Sequence, residues 1–371
     1  MQTKLTPKER FCNILSFKPV DRLPYTDWGI RGATMREWLK QGFPPDANYR
    51  ELFGFEPFNH GFPVNFGMIP PFEAETLETD GVYKIWRDET GAVRKDFIVT
   101  ENEGFVTRSW LSFPVTDRAS FVDMKKRYIA GDPARTPKDF ELQCNNANNS
   151  EGNTCLRIPF LFFIAREWVG FENLCLMFYD DPVLIEEMFE FIADFVIEIL
   201  KDKIKFMQID LAEVYEDMAY KHAPMISPDM FKKFMFSHYK RVFDFLRSNG
   251  VKFISVDSDG FNGGIIPLWI EAGVDAMTPT EIAAGNDPVE LRKQYPRFGM
   301  FGGIDKRVLA HDKTAVYNEV MSKVPFMLES GGFIPHIDHA IPHDALLSNY
   351  IYYSEIFKLA ASGLPVEKPR D

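Results

Sequence analysis

VKFISVDSDGFNGGIIPLWIEAGVDAMTPTEIAAGNDPVELRKQYPRFGMF, from Val251 to Phe301, is the stretch from which the fold can be read. A short apolar run, Val251 to Val256, ends in acidic residues and is followed by an apolar-periodic segment from Gly264 to Ala272. The pattern then repeats, with Val274 to Met277 before Pro288 to Gln294 and with Arg297 to Phe301 opening a third unit. Strand alternating with helix at this spacing predicts a parallel sheet covered on both faces.

Working outward extends the series. Upstream, Gln208 to Tyr215 precedes a helix from Pro228 to Ser248. Before it lie the apolar run CLRIPFLFF, a helix near Phe171 to Phe178, and a long amphipathic helix from Asp181-Pro182 to about Met207. Downstream, helices from Asp305 to Leu328 lead to a last strand, Phe333 to Ile337, and a closing helix, Asp344 to Ala361. No GxGxxG or GxxxxGK[ST] turn follows any strand, and the Gly302-Gly303 and Gly331-Gly332 pairs read as tight turns. This many units predict an α/β chain folded as a (β/α)8 TIM barrel, one domain over residues 1–371.

The N-terminal third departs from that rhythm. Thr6-Pro7 opens a capped helix, Arg22 to Trp28 reads as the first strand and Ala33 to Gln41 as the helix after it. From 58 to 110 short aromatic runs broken by GFP, IPP, TDG and ETG predict a β-hairpin insertion at the barrel mouth. The segment 131–153, with CNNANNSEGN, reads as a long exposed loop.

In a (β/α)8 barrel, polar residues at the carboxyl ends of strands gather at one mouth. Those ends carry Asp27 and Arg31, then Glu216 and Asp217, then Asp257 and Asp259, then Thr278 and Glu281, then Asp305, and finally His336, Asp338 and His339. If the strand persists through VDSDG, Asp257 and Asp259 share a face, roughly 6 to 7 Å apart. Two carboxylates so placed in a concave wall either hold a proton with a raised pKa or bracket a cation. The plainer alternative is an Asp-Ser-Asp-Gly loop capping the next helix. Trp28 and Tyr215 are candidates for an apolar substrate wall. In the tail GGFIPHIDHAIPHD, Pro335 and Pro342 exclude helix, so three of the 7 histidines crowd onto a strand end and its loop.

Charge and composition exclude several classes. Against 54 acidic residues stand 42 basic ones, a net charge of −12 with no basic stripe to follow a phosphate backbone, so nucleic acid is a poor partner. No apolar run approaches the roughly 20 residues that span a bilayer, no cleavable leader opens the chain, and the expected place is the cytoplasm. Cys12, Cys144, Cys155 and Cys175 form no CxxC pair and read as reduced thiols. The sequence leaves a homodimer open.

KFISVDSDGFNGGIIPLWIEAGVDAMTPTEIAAGNDPVELRKQYP, FGMFGGID and GGFIPHIDHAIP resemble the uroporphyrinogen decarboxylase superfamily in order and spacing. The resemblance runs from TPKERFCNILSFKPVDRLP through EDMAYKHAPMISPDMFKKF to the end. It implies a (β/α)8 barrel and one of two chemistries: cofactor-free decarboxylation of a tetrapyrrole, or zinc-dependent methyl transfer involving a corrinoid protein. The decarboxylases carry an arginine-rich MRQAGRYLPEYR-type loop after the first strand, where this chain has DWGIRGATMREW, with Arg31 and Arg36 alone. An octacarboxylate wants several guanidinium forks, so porphyrinogen is disfavoured. His339 resembles the histidine of their LGHGI-type motif. In the thiol-handling methyltransferases, zinc ligands fall at the positions of Asp257, Asp259 and His339, and each replacement here is again able to bind metal.

The resemblance thus implies a metal-dependent methyltransferase that takes a methyl group from a small ether or amine donor and passes it to a corrinoid protein. Asp257, Asp259 and His339 would hold zinc or another divalent transition metal, with His336 and Asp338 orienting His339. Asp217, Asp257, His339 and Arg31 are the expected catalytic residues, and Trp28, Tyr215, Glu281 and His336 the expected substrate contacts. The alternative is a metal-free carboxy-lyase in which Asp217 or Asp257 stabilises a cationic intermediate and Arg31 grips a carboxylate. A binding barrel without turnover is the third reading.

Overall fold

The computed structural model describes residues 4–98 and 108–369. Seven parallel strands form its main sheet: β1 (His60–Gly61), β2 (Thr154–Pro159), β3 (Leu211–Tyr215), β4 (Phe253–Asp257), β5 (Ala276–Thr280), β6 (Gly299–Ile304) and β7 (Phe333–Ile337). They pair in chain order, so each crossover lies beside its neighbour. Helices Pro182–Leu200, Phe236–Ser248, Ile266–Ala272, Pro288–Gln294 and Lys313–Ser330 fill the crossovers after β2 to β6, and Leu347–Ala361 follows β7. The sheet is curled and TIM-barrel-like.

Side-chain spacing explains the outer layer. Helix Pro182–Leu200 buries Ile185, Met188, Phe189, Ile192, Val196 and Ile199, one stripe at three- and four-residue steps. It packs on helix Phe236–Ser248, whose Tyr239, Val242, Phe243 and Leu246 repeat the same spacing. The floor is closed by helix Pro7–Leu15, started by a reciprocal Thr6–Glu9 capping box with Pro7 at its first position. From it Phe11 meets Phe58, Phe253 and Phe301 at ring separations of 5.8, 6.3 and 6.2 Å.

Three expectations change. The segment Arg22 to Trp28 is extended but forms no ladder strand; its nearest approach to one is an isolated parallel bridge between Ile30 and Ile341. Pro24 has no N–H, and the Tyr25 N–H is 3.3 Å from the Glu56 carboxylate, although the Tyr25 carbonyl does accept from the Glu56 N–H at 2.8 Å. The region 58–110 is also divided differently, because His60 and Gly61 pair with Thr154 and Cys155 in the main sheet. A separate antiparallel sheet of Glu75–Thr79, Tyr83–Arg87, Val93–Phe97 and Arg108–Ser112 follows, and the part of the expected insertion at 99–107 lies outside the described residues. Finally, 131–153 is not a plain loop. Helix Phe140–Asn148 forms there because burying Cys144 and Ala147 outweighs the modest helix penalty of its asparagines.

Among the described residues no helix is long and apolar enough to cross a membrane, and all four cysteines are free.

Candidate functional site

Neighbouring parallel strands turn register partners to the same side of a sheet, and this builds the site in rows. Arg157, Glu213 and Ser255 are register partners across β2, β3 and β4; Tyr215, Asp257 and Thr278 are partners one step further along β3, β4 and β5. Both rows contribute to a cavity of about 650 Å3, closed by Phe58 and Phe301 and bordered by Trp28, Asp27, Arg50 and His60.

Asp257 is the centre of this cavity's chemistry. It is 3 % exposed, and its Oδ2 has no hydrogen-bond partner among the described residues. Burial, then the charges of Glu213, Asp259 and Asp217, push its pKa well above the carboxylate range, with Arg157 opposing. Burial thus favours the protonated, uncharged form of Asp257 over its anion. Its neighbours are internally matched: Arg157 Nε lies 2.9 Å from Glu213 Oε1, and Arg50 Nη1 lies 3.1 Å from Asp27 Oδ1. Burial pushes the Tyr215 hydroxyl up to about 12, so it stays protonated.

A second cluster stands at the strand ends. His339 Nε2 lies 3.4 Å from Asp259 Oδ2, and its ring stacks on Trp28 at 6.2 Å and 13°. Burial raises the Asp259 pKa while His339 opposes it. His336 is 1 % exposed, touches the same Trp28 at 6.0 Å, and is kept neutral by burial, which lowers its pKa to about 4.

Several expected site residues have other work. Glu281 accepts from the Gly260 N–H at 3.0 Å and from Lys306 Nζ at 3.1 Å; against the upward pull of burial, these hold its pKa down. It fastens loops and is not part of the cavity wall. The Asp338 carboxylate does not orient His339, since it accepts the Ile282 N–H at 2.9 Å and the Lys306 N–H at 3.3 Å. Only its carbonyl oxygen lies near His339 Nδ1, at 3.3 Å. Asp217 is tied to Arg166 through its carboxylate at 2.9 Å and its carbonyl at 2.7 Å, outside the cavity wall. Arg31 occupies the N-cap position of helix Gly32–Lys40, also outside that wall. Glu216 accepts from the Phe162 and Phe163 N–H groups at 2.7 and 3.1 Å, at the start of helix Leu161–Val169, and from the Tyr239 hydroxyl at 2.6 Å.

The expected metal centre is not assembled. Among the described residues no three His, Cys, Asp or Glu side chains are grouped to hold a metal ion. β4 ends at Asp257 and Gly260 turns the chain at φ 84°, so the same-face spacing that would bring Asp257 and Asp259 together does not extend to Asp259. Asp259 pairs with His339 instead, while Asp257 lines the cavity.

Glu213 and Arg157 lie inside their strands, so position at a strand end does not single them out. The alternation of LAEVY was the available signal: it puts Glu213 on the face of Tyr215.

This is the architecture of TIM-barrel-like enzymes whose polar residues sit inside and above the strand ends. The chain belongs to the uroporphyrinogen decarboxylase family, whose description, Uroporphyrinogen decarboxylase (URO-D), matches residues 162–357. Among solved structures, a methyltransferase from Methanosarcina mazei has a similar fold, with a TM-score of 0.60 at 15 % sequence identity, covering 95 % of this chain and 100 % of that one. No curated protein matches the chain.

Proposed function

We propose that this chain is a methyltransferase in which Asp257 is the general acid for demethylation of a small ether or amine donor. The C–O or C–N bond breaks, the methyl group passes to a nucleophilic corrinoid carried by a partner protein, and the leaving oxygen or nitrogen takes the Asp257 proton. Solvent then reprotonates the carboxylate. The observation that carries the reading is the buried Asp257, its pKa raised by burial and its Oδ2 without a partner among the described residues, in the wall of a cavity also lined by Trp28, Phe58 and Phe301. Because the cavity's arginines are each matched by a carboxylate, a small and nearly neutral donor suits it better than a polycarboxylate. No step is assigned to a metal.

The same reading closes the seven strands with the Tyr25-to-Ile30 segment into an eight-position barrel, supported by its contacts with Glu56 on one side and Ile341 on the other. A low-valent corrinoid needs a reducing compartment, which agrees with a cytoplasmic location and free cysteines.

Decarboxylation is the second reading, favoured by one observation: the Arg157 side chain is 65 % exposed and has a face free for a substrate carboxylate. Purified protein incubated with methoxybenzene or trimethylamine and free cob(I)alamin separates the two. Methylcobalamin and a demethylated product are expected; failure to methylate cobalamin, with release of CO2 from an added aromatic carboxylate, would overturn methyl transfer.

A further inference from the structure

The buried imidazole of His336 is held in one tautomer. Its Nδ1 lies 2.8 Å from the Ile337 carbonyl oxygen, an atom that can only accept, so Nδ1 carries the proton. Nε2 is then a bare lone pair. It has no partner among the described residues, although the ring is 1 % exposed. Such an orphan acceptor is costly to bury unless something completes it.

His336 stands behind the cavity wall, joined to it through Trp28. His336 lies on β7 two residues beyond the buried Ile334, and its ring is 6.0 Å from Trp28, which borders the cavity. Thr280 is fully buried, and its hydroxyl also lacks a partner among the described residues. The two positions adjoin across Gly302, where a Cβ would stand 3.5 Å from both His336 Cε1 and the Thr280 nitrogen. Gly302 has φ +89°, so a side chain there would be strained as well as crowding this corner. Burial keeps the imidazole neutral at working pH, with its pKa lowered to about 4, so the acceptor persists.

We infer that His336 Nε2 selects a substrate that carries an O–H or N–H donor next to its methylated group. The inference takes the methylated donor from the proposed function and adds a recognition element to it. A substrate hydroxyl completes Nε2, whereas an analogue with a methyl group in that place leaves Nε2 orphaned; a site built this way discriminates more strongly than an apolar pocket does.

The test is binding, which is independent of turnover. Calorimetry with 2-methoxyphenol and its shape-matched analogue 2-methoxytoluene is expected to give the phenol roughly 10- to 100-fold tighter binding. His336→Phe keeps a ring and removes the acceptor, and should bring the two affinities together. Should that variant not fold, 15N NMR of histidine-labelled wild type gives the answer: the Nε2 resonance should carry no proton in the free protein and move with the phenol alone. Equal wild-type affinities, a preference that survives His336→Phe, no binding of either compound, or a protonated Nε2 would each overturn the inference. A retained preference in a protein that never methylates cobalamin would refute the methyl-transfer reading and leave this one standing.

Discussion

Arg157 and Glu213 face each other from register-paired positions on adjacent strands, Nε to Oε1 at 2.9 Å, in the row next to Asp257. The pair acts on that acid in opposite directions, Glu213 raising its pKa and Arg157 lowering it. With Asp257 working as a proton donor, kcat/KM is flat at low pH and falls as pH rises through its folded-state pKa. Removing the Glu213 charge must move that descending limb to lower pH, and removing the Arg157 charge must move it higher. A pH profile of Glu213→Gln and Arg157→Gln against wild type checks both signs. Coincident limbs in all three proteins would mean that another group supplies the proton.

Asp257→Asn keeps the size of the side chain and deletes its proton. The chemical step should slow by about 10²- to 10⁴-fold. The melting temperature should hold, because the unpartnered Oδ2 leaves no hydrogen bond to lose. His222→Ala and His311→Ala, both at exposed positions, should match wild type in rate and melting temperature. A slowdown of similar size in either control would show that the assay reports general damage.

The legible and illegible parts of this chain divide by the range of the interaction. β7 and helix Pro288–Gln294 coincide with their sequence limits, since local apolar periodicity and flanking Gly and Pro set both ends. Asp257 was found for a similar reason, as the polar end of an apolar strand. Its relation to Asp259 turned on strand length, because only a strand two residues longer would have put both on one face. Glu281 and Asp338 accept from the backbone N–H groups of Gly260, Ile282 and Lys306, which belong to neighbouring loops and are not legible beside them in the sequence. Sequence composition shows the carboxylate but never which amide it will meet.

The pairing of Asp259 with His339 at 3.4 Å bears directly on metal dependence. A transition-metal centre needs at least three side-chain donors around one point, and Asp257, Asp259 and His339 are not so gathered. Dialysis against EDTA should therefore leave the methyl-transfer rate unchanged. A rate lost on dialysis and recovered with stoichiometric zinc would reinstate the three-residue centre.

The floor of the curled sheet has Phe11 at its centre. Phe11 is buried among Phe58, Phe253 and Phe301, three rings from three separate parts of the chain, and Phe58 and Phe301 also line the cavity. Phe11→Ala should cost about 3–5 kcal/mol of unfolding free energy, which urea titration measures. A loss below about 1 kcal/mol would show that helix Pro7–Leu15 contributes little to closing the sheet.

Glu216 sets two effects against each other. Two N–H groups at the start of helix Leu161–Val169 and the Tyr239 hydroxyl favour its anion, while complete burial favours the neutral acid. Burial prevails and the folded pKa rises to about 7, above the ordinary value of 4.5. A carboxyl with a raised folded pKa contributes its full stability below the unfolded value and loses it as pH climbs through the folded one. Wild type should therefore lose roughly 2 to 4 kcal/mol between about pH 5 and pH 8 from this group. Glu216→Gln cannot ionise yet keeps an oxygen for the Phe162 and Phe163 N–H groups, so its stability should be flatter across that window. Chemical denaturation of both proteins at pH 5, 6, 7 and 8 gives the comparison. Parallel curves would mean that the helix end and Tyr239 keep Glu216 charged, and that its role is to anchor the helix as an anion.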